Sequence, residues 1–268
     1  MKYLRFYQNG NIRYGLLEKG NIIREVVGDI FNNHKTIEKE YSLSEITFLP
    51  PCMPTKIVAV GLNYFDHANE FQMKIPDEPL IFLKPPSTLI AHNDNIIYPK
   101  MSKQLDYEAE LAVIIKNRIK NIEPEDIFKN ILGYTCFNDV TARDLQKKDE
   151  QWTRAKSFDT FAPIGPFIST ELNPDSLQIK LYKNGQLMQN SSTSNMIFKV
   201  DKIVSFISKI MTLFPGDIIA TGTPSGVGPL EAGDIVEVEI EGIGILKNNV
   251  FLEKEWLKTL VYVIYLRR

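Results

Sequence analysis

The chain is 268 residues long, with 31 lysines and arginines against 33 aspartates and glutamates, a formal charge of −2 and a hydrophobic share of 44%. That size suits one large domain, or one large and one small, burying about 70–75% of its unfolded surface with no disulfide or metal needed merely to fold. Near-neutral charge without a basic run excludes nucleic acid as the main partner, and the apolar run at 260–266 is too short to cross a membrane.

The N-terminus is charged in its first turn and lacks an apolar signal core. Cys52 and Cys136 have no CxxC spacing, so neither a disulfide framework nor a zinc site is suggested. A reduced, cytoplasmic protein is expected. Residues 3–7 read as a strand, Gln8-Asn9-Gly10-Asn11 as a hairpin turn, and 13–17 as the returning strand. A second turn falls at 18–21. Pro50, Pro51 and Pro54 then mark a boundary. A small β-rich N-terminal domain is therefore expected over 1–53, a main domain over 54–250 and a C-terminal tail over 251–268.

Within the main domain, Pro124 and Gly133 bracket a short expected helix. Val200, Ile203, Val204, Ile207, Ile210, Met211 and Phe214 follow helical spacing up to Pro215-Gly216. Residues 234–241 alternate, with Val236, Val238 and Ile240 on one face and Glu237, Glu239 and Glu241 on the other, as in a half-solvated antiparallel strand. The mixture of periods is that of a β-rich α+β protein.

Five segments carry residues that could do chemistry. In GLNYFDHANE (61–70), His67 and Glu70 stand i,i+3 and meet on one face if the segment is helical. A carboxylate on one ring nitrogen would make His67 a better base; a plain surface pair is the alternative. In LDYEAELAVII (105–115), Glu108 and Glu110 share one face of a strand that turns wholly apolar beyond them. Two carboxylates in such an interior need a cation, unless the strand end is simply wet. Asp139 ends an apolar strand in FNDVTARDLQ (137–146), where it could be a helix N-cap or, facing Glu108 and Glu110, complete an all-oxygen site suited to Mg²⁺, Mn²⁺ or Ca²⁺. Lys156, in RAKSFDTFAPIGP (154–166), could offer a cation to a carboxylate or oxyanion, or lie in solvent. The loop at 220–229 lacks the Gly-Lys-Ser/Thr ending of a phosphate loop; its amides and the Thr223 hydroxyl suit a small carboxylate instead. No Gly-x-Ser-x-Gly elbow occurs.

The order of these segments, together with PGDIIATGTPSGVG (215–228), closely resembles the fumarylacetoacetate hydrolase family over roughly residues 55–247. The resemblance implies a mixed β-sandwich roll as the catalytic domain, assembled as a homodimer. It assigns the metal carboxylates to Glu108, Glu110 and Asp139, a catalytic dyad to His67 and Glu70, and an active-site lysine to Lys156. Thr223 matches the residue that contacts the substrate carboxylate, and Arg143 and Gln146 fall in a motif lining the pocket.

The activity so implied is metal-dependent chemistry on a 2-oxo or 2,4-dioxo acid from aromatic-compound breakdown, with enolate charge stabilised by the cation. Water attack would give carbon–carbon hydrolysis, and proton movement alone isomerisation. The alternatives are an oxaloacetate decarboxylase or tautomerase and, from another class, a non-catalytic metal- or ligand-binding β-domain. Intact carboxylates together with His67, Glu70 and Lys156 speak against the last.

Overall fold

The computed structural model describes residues 1–70 and 72–253. Its architecture is α+β and rich in strand, built from three sheets. Twelve strands make the largest, whose main path runs His34–Ser42, Ile22–Gly28, Asn11–Leu17, Lys2–Gln8, Ala162–Ser169, Ile131–Asn138, Ala109–Ile115, Ile218–Ala220, Ile57–Gly61 and Leu80–Lys84. A five-stranded sheet is ordered Gln186–Ser192, Gln178–Lys183, Ile235–Ile240, Gly244–Leu252 and Asn95–Tyr98. The third is short: Thr141–Ala142, Leu105–Tyr107 and Gly228–Leu230. No described helix is long and apolar enough to cross a membrane.

The expected N-terminal hairpin forms, with Tyr3 opposite Leu16 and Gln8 opposite Asn11. Asn9 and Gly10 both take positive φ, 48° and 80°, the geometry a two-residue turn between right-twisted strands requires. Lys2 and Tyr3 also pair with Ser169 and Ile168, so the N-terminal strands extend the same sheet that carries Ala109–Ile115. At the other end, Phe251 and Leu252 pair with Ile97 and Tyr98. The rest of the expected tail, from 254 onward, lies outside the described residues.

Two helical expectations change. Residues 124–133 form two short 3-10 turns, Pro124–Asp126 and Phe128–Asn130, and a strand begins at Ile131. Gly133 does not end a helix. It pairs with Ile114, and a Cβ there would stand 2.4 Å from the Ser169 carbonyl oxygen, so cross-strand packing claims the segment. The second helix spans Val200–Ile210 and buries Val200, Ile203, Val204 and Ile207. It stops short of Phe214 because the chain turns extended at Met211, and Leu213 exchanges two backbone hydrogen bonds of 3.0 Å with Ile119. The strand Ile235–Ile240 keeps its expected alternation, with Val236, Val238 and Ile240 buried.

Candidate active site

The passage of the chain between sheets positions the acidic residues. Leu105–Tyr107 belongs to the short sheet and Ala109–Ile115 to the large one, so Glu108 sits at the crossing point. Its backbone N–H donates to Asn138 Oδ1 at 2.9 Å, and its carbonyl accepts from Asp139 N at 2.9 Å. The Asn138 side chain thus stands in for a missing ladder partner, and the same exchange brings Asp139 alongside. Glu108, Glu110 and Asp139 are all buried, and they offer ligand oxygens that lie within 4.8 Å of one another. The wet strand end is thereby excluded. Asp139 is no N-cap either, because the helix Arg143–Lys148 is preceded by Ala142 in that position.

Cations surround this cluster. Lys156 ends the helix Thr153–Lys156, and its buried Nζ donates to Glu108 Oε2 at 2.9 Å and Asp139 Oδ2 at 2.5 Å. Arg143 donates from Nε to Asp106 Oδ2 at 2.7 Å, from one terminal nitrogen to Glu108 Oε1 and from the other to Gln146 Oε1. Both residues line the site cavity, where the guanidinium braces two acidic side chains and Gln146 braces the guanidinium.

The charge balance shows in the titration of the carboxylates. Burial pushes Glu108 upward, but Lys156 and Arg143 outweigh it and hold the carboxyl down at about 2. Glu110 moves the other way, well above the usual range, through burial and the neighbouring charges of Asp139 and Glu108. Its Oε2 accepts the Gly222 amide at 2.9 Å. The loop amide expected to face a substrate thus faces Glu110. Gly222 approaches closely because it is a glycine at φ +93°, where a Cβ would stand 2.8 Å from Asn63 Cβ.

Opposite the acids, the helix Phe65–Glu70 carries the expected pair, with His67 Nδ1 and Glu70 Oε2 3.4 Å apart. Glu70 also accepts from Gly226 N at 3.2 Å, and Asp66 accepts from Ser191 Oγ at 2.5 Å. These contacts tie the short helix to the 221–229 loop and to the five-stranded sheet. Thr223 Oγ1 accepts from Gln189 Nε2 at 2.9 Å. A cavity of about 570 Å³ joins His67, Glu108, Glu110, Asp139, Lys156 and Thr223, within the usual range for small-molecule sites. Glu70 is the one proposed site residue outside its lining.

Sequence reasoning passed over Lys84, Asp106, Gln189 and the aromatic wall of Phe82 and Trp152, whose ring centroids are 5.3 Å apart. Lys84 left one faint signal, a lone cation closing the apolar run Leu80-Ile81-Phe82-Leu83. The others become visible only when distant strands meet.

A buried, all-oxygen carboxylate cluster facing a cavity of this size marks an enzyme that works with a divalent cation, since oxygen-only sites of this kind suit hard divalent ions. The chain belongs to the fumarylacetoacetate hydrolase family: the family's description, "Fumarylacetoacetate (FAA) hydrolase C-terminal", matches residues 56–251, and "Rv2993c-like, N-terminal" matches residues 1–51. The structure of 5-carboxymethyl-2-hydroxymuconate delta-isomerase from Mycobacterium smegmatis superposes with a TM-score of 0.89 at 38% identity, covering 94% of this chain and 100% of that one. The oxaloacetate tautomerase FAHD2B, mitochondrial, of Bos taurus is 44% identical over 77% of this chain and 70% of its own length. The structure of maleylpyruvate hydrolase from Sphingobium sp. SYK-6, in complex with manganese(II) and pyruvate, gives a TM-score of 0.79 at 28% identity, over 94% of this chain and 99% of that one.

Proposed function

We propose that this enzyme acts on 2-oxo or 2,4-dioxo acids, by carbon–carbon bond hydrolysis or by isomerisation, with Mg²⁺ or Mn²⁺ held by Glu108, Glu110 and Asp139. The observation that carries the reading is the convergence of those three buried carboxylates within 4.8 Å, on a cavity that His67 also lines. When bound, the cation supplies a Lewis acid for negative charge developing on the substrate oxygens. His67 is the base, oriented through Nδ1 by Glu70, and takes a proton from water or from a substrate carbon. An ammonium carries three protons. Two of those on Lys156 go to Glu108 and Asp139, which leaves the third for the substrate. Thr223, buried at the cavity wall, supports the substrate carboxylate. Water delivered by His67 to a distal carbonyl cleaves the carbon–carbon bond; proton transfer without water gives the isomer.

The aromatic wall of Phe82 and Trp152 supports a substrate with an extended unsaturated chain, as in the products of aromatic-ring cleavage. Gly61 lies beneath it, where a Cβ would come 2.9 Å from the Trp152 ring. The second reading is oxaloacetate tautomerisation or decarboxylation, and the bovine tautomerase supports the first of these. The assembly we read as a cytoplasmic homodimer, as the family resemblance implies.

The test follows the ultraviolet absorbance of an acylpyruvate enol with Mg²⁺ or Mn²⁺, repeated in EDTA, with pyruvate assayed in parallel. Metal-dependent loss of absorbance with matching pyruvate is the expected result. No turnover with either ion moves the assignment to isomerisation or to oxaloacetate, which is the next substrate.

A further inference from the structure

Lys84 ends the strand Leu80–Lys84, is 1% exposed, and is not among the cavity-lining residues. Its Nζ donates to Asp139 Oδ1 and, at 3.3 Å, to the Val140 carbonyl. Taking an ammonium out of water costs several kcal/mol, and the proton-transfer steps above make no use of this one.

The pattern of donors around the three carboxylates gives it a task. Each has one oxygen held by a donor other than Lys156, and Lys156 takes the second oxygen of both Glu108 and Asp139. Glu108 Oε1 receives Thr141 Oγ1 at 3.1 Å and Arg143, and Glu110 Oε2 receives Gly222 N at 2.9 Å. For Asp139 the grip on Oδ1 is Lys84, while Oδ2 turns toward Lys156 and, through it, Glu108. Donors on both oxygens fix the plane of the Asp139 carboxylate, and Lys84 supplies the one on Oδ1. Residues that orient metal ligands in this manner typically change metal affinity about 10–100-fold when replaced.

We propose that Lys84 is the positioning residue of the metal-binding cluster, pinning Oδ1 of Asp139 so that Oδ2 stays aimed at Glu108. This rests on the reading that Glu108, Glu110 and Asp139 hold a divalent cation. The sign of the effect separates positioning from bare electrostatics. A buried positive charge repels an incoming cation, so on Coulombic grounds alone its removal tightens binding; if positioning dominates, removal loosens it.

The experiment is calorimetric titration of EDTA-stripped protein with Mn²⁺. Lys84→Met is expected to bind at least about 10-fold more weakly than the wild type. In an Asp139→Asn background, the same change is expected to alter affinity less than about twofold, because the role runs through Asp139. Equal or tighter binding by Lys84→Met overturns the inference, and so does an undiminished loss in the Asp139→Asn background. Failure of the wild type itself to bind Mn²⁺ overturns the functional reading instead. Should Lys84→Met not fold, a crystal structure of the wild type with Mn²⁺ decides. Lys84 on Oδ1 with Oδ2 on the ion supports the role, whereas Oδ1 on the ion removes it.

Discussion

Asp217 and Glu110 are both buried carboxylates, and the protein treats them in opposite ways. Asp217 sits fully buried in the turn before the strand Ile218–Ala220. It accepts from Thr55 N, Thr55 Oγ1, Lys56 N and Phe214 N between 2.7 and 3.2 Å, and pairs with Lys56 Nζ at 2.5 Å. Main-chain amides dominate that shell, so the charge stitches the segment after the Pro50–Pro54 boundary to the sheet. Glu110 accepts one amide, from Gly222, and faces the like charges of Glu108 and Asp139. A carboxylate with a full complement of donors is a fastener; one crowded by other carboxylates is a place waiting for a cation.

Neutralising each carboxylate should break that contrast in opposite directions. Glu110→Gln is expected to lower turnover about a thousandfold or more, beyond the 10–100-fold typical of outer partners. The melting temperature of the EDTA-treated variant should hold or rise, since a carboxyl disfavoured there by burial and by Asp139 and Glu108 has gone. Steady-state assay and thermal melts check both; activity near wild type would remove Glu110 from the metal set. Asp217→Ala should do the reverse, costing about 3–5 kcal/mol in urea unfolding by stranding Lys56 and several amides, while the folded fraction keeps its activity.

A smaller effect comes from His92, whose Nδ1 accepts Lys247 N at 3.1 Å and whose ring meets Phe48 edge-on at 4.9 Å. Burial, and then the charge of Lys247, lowers its pKa from the ordinary 6.5 to about 4. A base with a depressed folded pKa contributes stability that is complete above 6.5 and is lost as the pH falls toward 4. Between pH 7 and 5 the loss should be about 2 kcal/mol. Denaturant titrations of the wild type and His92→Asn isolate it: the variant's curve should be flatter by that amount. Least of all should Arg24→Ala matter. Arg24 pairs with Glu18 at 2.8 Å and Glu40 at 3.3 Å on the open N-terminal sheet, where water screens both contacts. A melting shift under about 2 °C is expected; a large one would mean that exposed pairs here carry weight of the kind reserved above for buried ones.

Local signals announced much of this arrangement. The alternation at 235–240, the Asn9-Gly10 turn and the i,i+3 spacing of His67 and Glu70 are short-range facts, readable because strand and helix periods act within a few residues. They failed at 124–133, where Pro and Gly suggested a helix and pairing with Ala109–Ile115 imposed turns and a strand. The family resemblance supplied the acidic trio and Lys156, but not their mutual grip.

By itself the sequence determined the strand-rich class, the placement of acids at the ends of apolar strands and the family to which the chain belongs. Tertiary structure alone decided which cation answers which acid. Lys84 and Asp139 are 55 residues apart, Arg143 and Asp106 are 37, and Asp217 and Thr55 are 162. Such pairs carry no periodic signature. Burial makes each of them obligatory, because a charge without its partner in a dry interior costs more than a marginally stable fold can spare.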